Sequence, residues 1–310
     1  MAEKKKYPPA YFHSISVENL RCFGPKQTLN LFDKNDPNRP AQWTVLLGDN
    51  GVGKTTLLQA LVMMAPVEQL RDIKTYPPYV AKFGVPFSSI HKNLFHPVWM
   101  DVHYLVGSKL SKESEGFSKF DQSIVLNIDK EYTCDRGDEQ TIGLLVYGYG
   151  GKRRFGEHTL GGEKTPKPFD NLINDDVALL NAEEWLLRMD YALKSENVPQ
   201  VWEYIRKQQA QIEEVLSNVL PEISNIQYAH PPVEEVLRKG HRVEFETPYG
   251  WVPLSDLSLG YKSMIAWIVD FSARMFERYN DSDDPLSEPA VVLVDEFDLH
   301  LHPKWQRKLM

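Results

Sequence analysis

The feature that most constrains this chain is a glycine-rich loop between two apolar segments. Residues 48–56 read GDNGVGKTT, which fits the pattern G-x-x-x-x-G-K-[ST]. Before them, residues 43–47 form a short apolar run that predicts a buried strand. After them, apolar residues continue to Val62 in a helical pattern, which we expect to stop near Pro66. This order of strand, glycine loop and helix predicts an α/β sheet with the loop at a strand end.

A loop of this kind binds phosphate because its backbone N–H groups point into one concavity, at the positive end of the helix dipole. Lys54 would bring positive charge to the β- and γ-phosphates, and the Thr55 hydroxyl would bind Mg²⁺. A glycine turn without a ligand is the alternative, and the flanking patterns argue against it. The residues that we expect around the phosphates are Asn50, Gly51, Val52, Gly53, Lys54, Thr55 and Thr56.

The bulk properties are those of an ordinary globular protein. The 310 residues suffice for one large or two ordinary domains, and 42% of them are hydrophobic and 25% charged. No apolar run has the length of a membrane span, and the N-terminal MAEKKK lacks the apolar stretch of a secretory signal. Cys22 and Cys134 have no metal-ligand spacing and suggest a reducing compartment. We therefore predict a cytoplasmic protein without a membrane partner.

The charge distribution leaves nucleic acid possible as a partner without requiring it. A net charge of −8 argues against a molecule that binds nucleic acid through its overall charge. Basic clusters lie at residues 152–154, 238–242 and 304–308, and solvated surface is the favoured explanation for each. The first cluster follows a glycine-rich strand end at residues 148–151. That combination would suit a phosphate or a partner's acidic surface, and a plain glycine turn explains it equally well.

The first half of the chain contains several strand patterns. Alternating apolar and polar residues predict a hairpin of strands at residues 12–20 and 27–31, which we place beside the nucleotide. Residues 66–140 contain prolines and polar stretches that predict loops and short elements. Two further strands are predicted at residues 120–128 and 141–149.

The second half begins with a helical pattern at residues 177–221, with a helix start at Asn181. Too few heptads can be drawn for a coiled-coil arm, so we predict a helical lobe. Strands at residues 243–247 and 251–254 follow, and a helix opens after Ser255.

Near the C-terminus, an apolar strand at residues 290–294 ends in Asp295 and Glu296. Two carboxylates at the end of a buried strand are the usual partners of a phosphate loop. Asp295 would bind Mg²⁺, and Glu296 would position and deprotonate a water molecule. Because water would be the acceptor, the motif predicts hydrolysis.

A second phosphate-directed element is predicted at residues 257–263, which read LSLGYKS. The hydroxyl of Ser258 and the N–H of Gly260 would lie at a helix N-terminus, where both could contact a γ-phosphate. A simple helix cap is the alternative. The position of the segment, between the phosphate loop and the acidic strand, favours the phosphate contact.

Three segments carry a family resemblance. Residues 15–23 are similar to the opening motif I-x-x-x-N-[FL]-R-x-F, residues 257–266 to L-S-x-G-Y-[KR]-S-M, and residues 295–306 to D-E-x-x-x-H-L-H-P-x-W-Q. On these motifs the chain resembles ABC-type ATPase heads of the RecF/SMC/OLD kind. The resemblance covers both ends of the chain and is weaker across residues 66–230. Similar ATPases occur in bacterial anti-phage systems such as Septu, in which the ATPase works with an HNH nuclease, and in retrons.

The resemblance implies an α/β fold with an ABC-ATPase-type P-loop sheet, N-terminal antiparallel strands and a helical insertion lobe. It implies one composite ATPase domain. Residues 1–65 would form the Walker A lobe, residues 66–230 the variable insertion, and residues 231–310 the lobe with the signature and Walker B motifs. ATP and Mg²⁺ are the ligands implied.

The resemblance also implies roles for single residues. Glu296, Lys54 and Ser258 would be catalytic, and Thr55 and Asp295 would hold the metal. Because the family's signature acts on the nucleotide of the other subunit, Ser258 would serve a second copy in a head-to-head homodimer or higher oligomer. The task implied is regulation of an effector such as an HNH nuclease. A DNA-repair ATPase of the RecF/SMC kind, stimulated by DNA, and a scaffold that hardly hydrolyses ATP are the alternatives.

Two departures from the family pattern carry expectations of their own. Leu259 is apolar where many signatures have a small or acidic residue. The sequence stops at Met310, before the strand that brings a switch histidine in the family, and it contains no Toprim or HNH motif. We expect the sheet position beside residues 290–294 to be covered by a longer form of the protein or by another chain. We also expect hydrolysis by this chain alone to be slow.

Overall fold

The computed structural model describes residues 9–63, 98–107, 117–126, 132–136, 144–154, 156, 167–220, 222–229 and 240–299. These residues form two compact units. The first contains the described residues up to Gly148 together with Pro289–Asp295, and the second contains Tyr149–Glu288 and the residues from Glu296 onward. No helix in the described part is long and apolar enough to cross a membrane. The three-part division predicted from the sequence stays a prediction.

The first unit contains a five-stranded antiparallel sheet in the order β2-β1-β3-β4-β5. Its strands are β1 (Ala10–Glu18), β2 (Gln27–Asn30), β3 (Val98–Gly107), β4 (Phe117–Leu126) and β5 (Tyr132–Arg136). Ile15 of β1 faces Leu29 of β2 in the register, and the Ser16 and Thr28 hydroxyls are 2.8 Å apart. The predicted N-terminal hairpin is confirmed, and so is the mixed α/β class with antiparallel N-terminal strands.

The prediction of loops and short elements between residues 66 and 140 is wrong at β3, which is ten residues long, and at β5, and both strands were missed. The strand predicted at residues 120–128 is confirmed by β4 as far as Leu126. β3 is not recognisable from its local sequence pattern, because Asp101 and His103 interrupt its apolar run. What makes it a strand is pairing along both of its edges, to β1 and β4, with Met100 and Val102 fully buried. Residues 64–97 and 108–116 lie outside the described residues.

The apolar run before the glycine loop is not the buried strand that its sequence predicts. Trp43, Val45 and Leu47 are 84%, 68% and 79% exposed, and residues 43–47 have no strand pairing within the described part of the chain. An apolar run becomes a buried strand only where neighbouring strands satisfy its backbone groups. The strand β10 (Val291–Val294) pairs with β6 (Val146–Tyr149) and not with residues 43–47.

The strand that delivers the acidic pair is present but only partly buried. Within β10, Leu293 is buried, whereas Val292 is 36% exposed. Val291 donates its N–H to the Leu145 carbonyl at 2.8 Å. The prediction of a strand here is confirmed, and the prediction that it is buried along its length is wrong. Among the described strands, β6 is the one that pairs with β10.

Among its described residues, the second unit combines four α-helices with a small sheet. Strands β7 (Asn225–Ala229), β8 (Arg242–Thr247) and β9 (Gly250–Pro253) form an antiparallel sheet in the order β7-β8-β9. The helices are α2 (Asp170–Ile173), α3 (Ala182–Ser195), α4 (Pro199–Val219) and α5 (Leu259–Arg278), while α1 (Lys54–Met63) belongs to the first unit. The predicted helical segment and the predicted β8–β9 hairpin are confirmed, and β7 was missed.

The apolar faces of α3, α4 and α5 meet the three-stranded sheet in one core. The side chain of Asn181 accepts a hydrogen bond from the Glu184 N–H and caps α3 as predicted. Fully buried members of this core are Ala182, Leu186, Ile212, Leu216, Leu220, Val243, Phe245, Ile265 and Val269. This core holds the N-terminal end of α5, which carries the signature sequence.

We predict that Ile212→Ala lowers the free energy of unfolding by about 2–5 kcal/mol, because it leaves a cavity in this core. Ile212 is completely buried on α4. Tyr191→Ala, on the exposed side of α3, is the control and should change stability by about 0.5 kcal/mol or less. Urea denaturation measures both, and equal effects would contradict the assignment of the core.

Candidate nucleotide-binding site

The glycine loop leads directly into α1, as the phosphate-loop prediction requires. Gly51 and Gly53 have φ angles of +81° and +104°, which side chains rarely adopt, and Lys54 is the first residue of the helix. The Lys54 ammonium donates to the Gly48 carbonyl at 2.6 Å and to the Asp49 carbonyl at 2.8 Å. The positive charge of Lys54, which would contact a phosphate, therefore lies against the first residues of the loop.

The floor of the loop is built by the N-terminal motif at residues 15–23. A Cβ atom added to Gly53 would lie 2.5 Å from the Cys22 sulfur and 2.7 Å from the Phe23 ring. The turn that brings this segment under the loop includes Asn19 and Arg21 at φ angles of 55° and 47°. Gly53 is thus needed both for its backbone angle and for close packing. The sequence showed the motif and the loop separately, without their contact.

Arg21 joins the N-terminal motif to the helix after the loop. Its guanidinium donates to the Gln59 Oε1 at 3.0 Å and lies 3.5 Å from the Thr56 hydroxyl. Burial lowers the pKa of the Arg21 guanidinium from its ordinary value, and an arginine remains charged at neutral pH even so. Sequence reasoning gave Arg21 no role of its own, although the arginine of the opening motif was the available signal.

Thr55 and Asp295 are brought together although they are 240 residues apart in the chain. The Thr55 hydroxyl donates to the Asp295 Oδ2 at 2.5 Å. Thr55 is exposed, whereas Asp295 is buried at 8% exposure. This contact unites the end of β10 with the first turn of α1, which is the arrangement expected for a phosphate loop and its acidic strand.

The chemistry of this pair fits Mg²⁺. A hydroxyl and a carboxylate are hard oxygen ligands, and Mg²⁺ keeps several waters and phosphate oxygens rather than requiring an all-protein cage. Among the described residues, no group of three or more His, Cys, Asp or Glu side chains is placed to hold a metal ion. Thr55 and Asp295 are therefore the residues to test as metal ligands.

Glu296 follows Asp295 but is held by a different set of contacts. Its φ angle is 46°, in the left-handed region, and its carbonyl accepts hydrogen bonds from the Leu299 N–H at 2.9 Å and from the Arg153 guanidinium at 3.0 Å. A Cβ atom on Gly151 would lie 2.6 Å from the Glu296 Oε2. The Glu296 carboxylate therefore lies directly against Gly151, in the second glycine-rich segment, which follows β6.

The basic cluster at residues 152–154 is not the plain solvated surface that its sequence favours. Lys152 and Arg154 are exposed as expected, but Arg153 is buried at 6% exposure. Its Nε donates to the Ser263 hydroxyl at 3.0 Å. One member of the basic cluster, Arg153, is therefore buried inside the second unit. Residues 238–239 and 304–308 of the other clusters lie outside the described residues, as do His300 and the residues after it.

The signature sequence begins α5, as predicted. Ser258 is the residue before the helix, and its carbonyl accepts the Lys262 N–H at 3.0 Å. Its side chain makes no capping hydrogen bond with the residues that the structure describes, so the simple-cap alternative has no support there. Ser258 and Leu259 are exposed, the latter at 60%, while Gly260 is buried.

Two family descriptions match this chain. Residues 163–310 match "AAA domain, putative AbiEii toxin, Type IV TA system", and residues 14–74 match "AAA domain". The Septu protein PtuA of Bacillus mycoides (strain KBAB4) is 28% identical over 279 residues, which cover 87% of this chain and 32% of PtuA. The chain thus matches AAA-domain descriptions at both of its ends and is similar to a Septu protein over most of its length.

Other relatives match over shorter stretches. The retron Ec83 probable ATPase of Escherichia coli is 33% identical over 32% of this chain and 17% of its own length. The retron Vc95 probable ATPase of Vibrio cholerae serotype O1 biovar El Tor is 29% identical over 35% of this chain and 20% of its own length. The chain spans about a third of the length of PtuA.

Two solved structures are similar to this chain at a TM-score of 0.39. One is the recombination mediator protein RecF, at 13% identity, covering 96% of this chain and 88% of that one. The other is an SMC head bound to the C-winged helix domain of ScpA, at 10% identity, covering 92% of this chain and 89% of that one.

We predict that Gly53→Ala destabilises the chain more than Gly51→Ala does. Both residues have positive φ angles, so each alanine costs about 1–2 kcal/mol of backbone strain. Only the Cβ at residue 53 would also meet Cys22 and Phe23, whereas nothing lies within 4 Å at Gly51. Chemical denaturation of both variants measures the difference, and equal losses would show that the loop does not rest on the N-terminal motif.

Proposed function

We propose that this chain binds and hydrolyses Mg·ATP, that two copies join head to head around the nucleotides, and that this cycle regulates a partner effector in anti-phage defence. The observation that carries the proposal is the Thr55–Asp295 hydrogen bond of 2.5 Å. It brings the acidic strand to the first turn after the glycine loop, which supports a single nucleotide site built from the two sequence motifs.

Phosphate binding is assigned to the loop and Lys54. The ammonium now donates to the Gly48 and Asp49 carbonyls. A γ-phosphate is a stronger acceptor than these neutral carbonyls, because hydrogen bonds between charged groups are the stronger ones. Residues 50–56 would add backbone N–H groups at the positive end of the α1 dipole.

Thr55 and Asp295 would hold Mg²⁺, which supplies charge neutralisation for the phosphates when bound. Thr55 is an exposed residue, and its hydroxyl already donates to the Asp295 carboxylate. Arg21 supports this geometry by holding the Gln59 side chain on the next turn of α1.

Glu296 is assigned to the attacking water. Its carboxylate would accept one proton as the water oxygen bonds to the γ-phosphorus and the bond to the β,γ-bridging oxygen breaks. ADP and phosphate are the products. The side chain lies over Gly151 and its backbone is fixed by Arg153, so the base does not share the Thr55 contact of its neighbour Asp295.

The dimer is proposed from the signature end of α5. Ser258 and Leu259 are exposed there, and the Ser258 side chain is not engaged in capping among the described residues. An exposed hydroxyl at the N-terminus of a 20-residue helix can meet an anion brought by a second molecule. Gly260 would add its N–H in the same turn.

The regulatory role rests on the relatives. Septu protein PtuA and two retron probable ATPases are proteins of this kind, and PtuA is matched across most of this chain. The proposed effector is a nuclease, such as the HNH nuclease that accompanies Septu ATPases.

We predict that Lys54→Ala abolishes ATP binding, whereas Glu296→Gln retains binding and loses hydrolysis. The first variant removes the phosphate counter-charge, and the second removes only the base. Calorimetry with ATP and Mg²⁺, together with phosphate release, measures the two properties separately. Lys34→Ala, at an exposed lysine in the loop after β2, is the control and should behave as wild type. Unchanged ATP affinity in Lys54→Ala would contradict the assignment of the loop.

ATP is expected to promote self-association of Glu296→Gln, and adding Ser258→Arg should prevent it. Affinity for ATP and dimerisation must increase each other by the same factor, because the two equilibria are linked. Light scattering with and without ATP gives the mass. Adding Ser195→Arg, at an exposed end of α3, is the matched control. Dimerisation of the Ser258→Arg double variant like that of the control would rule out the proposed interface.

A further inference from the structure

We infer that Arg153 is a positioning residue that connects the signature helix α5 to the base Glu296. This inference rests on the proposed function, since it deepens the role given there to Glu296. In the sequence, Arg153 is the middle member of a basic cluster whose neighbours on both sides are exposed. In the structure it is buried and contacts the two motifs that the proposed reaction needs.

The first contact is with α5. The Arg153 Nε donates to the Ser263 hydroxyl at 3.0 Å, and Ser263 is itself buried at 5% exposure. Ser263 lies in the first two turns of the helix that begins at Leu259. Because the buried guanidinium is closely packed, it must move with the first turns of α5 when these shift.

The second contact is with Glu296. The Arg153 Nη2 donates to its backbone carbonyl at 3.0 Å. Glu296 has a φ angle of 46°, and a non-glycine residue stays in that region only where its surroundings determine the conformation. A charge-assisted hydrogen bond to the carbonyl is such a determinant. One planar guanidinium thus fixes the backbone that aims the base.

The loop that carries Arg153 also shapes the space for the carboxylate. Gly151 leaves the gap that the Glu296 Oε2 occupies, since a Cβ there would lie 2.6 Å away. Gly150 is anchored by its N–H, which donates to the Asn171 Oδ1 at 2.8 Å, and a Cβ on it would lie 2.6 Å from the Asn171 carbonyl. The carboxylate and the carbonyl of Glu296 are therefore both positioned by residues 150–153.

The consequence is a route from the signature to the base. Ser258 and Gly260, proposed to contact the nucleotide of a second copy, lie in the same helical segment as Ser263. A shift of that segment would move the Ser263 hydroxyl, and Arg153 would transmit the shift to the Glu296 carbonyl. Arg153 touches neither the phosphates nor the water in this scheme, so it acts only through Glu296.

The test compares Arg153→Met with Arg154→Met, the exposed neighbour. Arg153→Met should lower kcat for ATP about tenfold or more, with KM changed by less than about threefold, because the base is misaligned while the phosphate loop is intact. Arg154→Met should stay within about twofold of wild type on both parameters. A purely structural role for Arg153 would instead lower ATP affinity and thermal stability along with kcat.

Double variants show whether the effect runs through the proposed contacts. Ser263→Ala should reproduce part of the loss in kcat, and combined with Arg153→Met it should add nothing further, since residues acting as a unit are not additive. In a Glu296→Gln background, Arg153→Met should leave the residual rate and ATP affinity unchanged. If Arg153→Met does not fold, Gly151→Ala provides an independent test. We expect Gly151→Ala to lose a similar part of kcat and to retain ATP binding.

Wild-type kcat in Arg153→Met and Gly151→Ala would overturn this inference while leaving the proposed function standing. So would equal losses in Arg153→Met and Arg154→Met, or a further loss from Arg153→Met in the Glu296→Gln background. If wild-type turnover is not abolished by Glu296→Gln, the assignment of the base fails, and the role of Arg153 fails with it.

Discussion

The contact on which the rest of the site depends is the hydrogen bond from Thr55 to Asp295. It joins the residue after the phosphate-loop lysine to the residue after β10, and the chain between them contributes most of the other strands and helices. A hydroxyl bonded to a buried carboxylate is stable only if both ends are held in place, because a misplaced carboxylate would remain desolvated without a partner. In the first unit, α1 holds Thr55 in place and β10 holds Asp295 in place.

The positions of the candidate site motifs could be predicted from the sequence, because each motif is short. The glycine loop, the acidic pair and the signature need few residues each, and their residue types follow from phosphate and metal chemistry. Asn181 as a cap and the β8–β9 hairpin were equally accessible, since a cap and a tight turn are decided by neighbouring residues. The α/β class followed from the order of these pieces.

What could not be predicted depends on contacts between distant segments. β3 is a strand because β1 and β4 pair with it, although Asp101 and His103 interrupt its apolar run. Residues 43–47 have a strand-like composition, yet they are exposed and unpaired within the described chain. The basic residues 152–154 show the same limit, because composition alone does not reveal that the middle arginine is buried against Ser263.

Asp295 and Glu296 carry the same charge and are adjacent in the sequence, but the structure gives them different contacts. Asp295 directly follows the end of β10 at Val294 and is bonded to a hydroxyl, which suits a metal ligand. Glu296 then turns into the left-handed region at a φ angle of 46°, and its carboxylate lies beside Gly151. Without that turn, side chains in an extended strand would simply alternate between faces, with nothing to fix the second carboxylate. In the proposed assignment, the base and the metal ligand are therefore separated by a strained backbone at Glu296, whose carbonyl accepts a hydrogen bond from the buried Arg153 guanidinium.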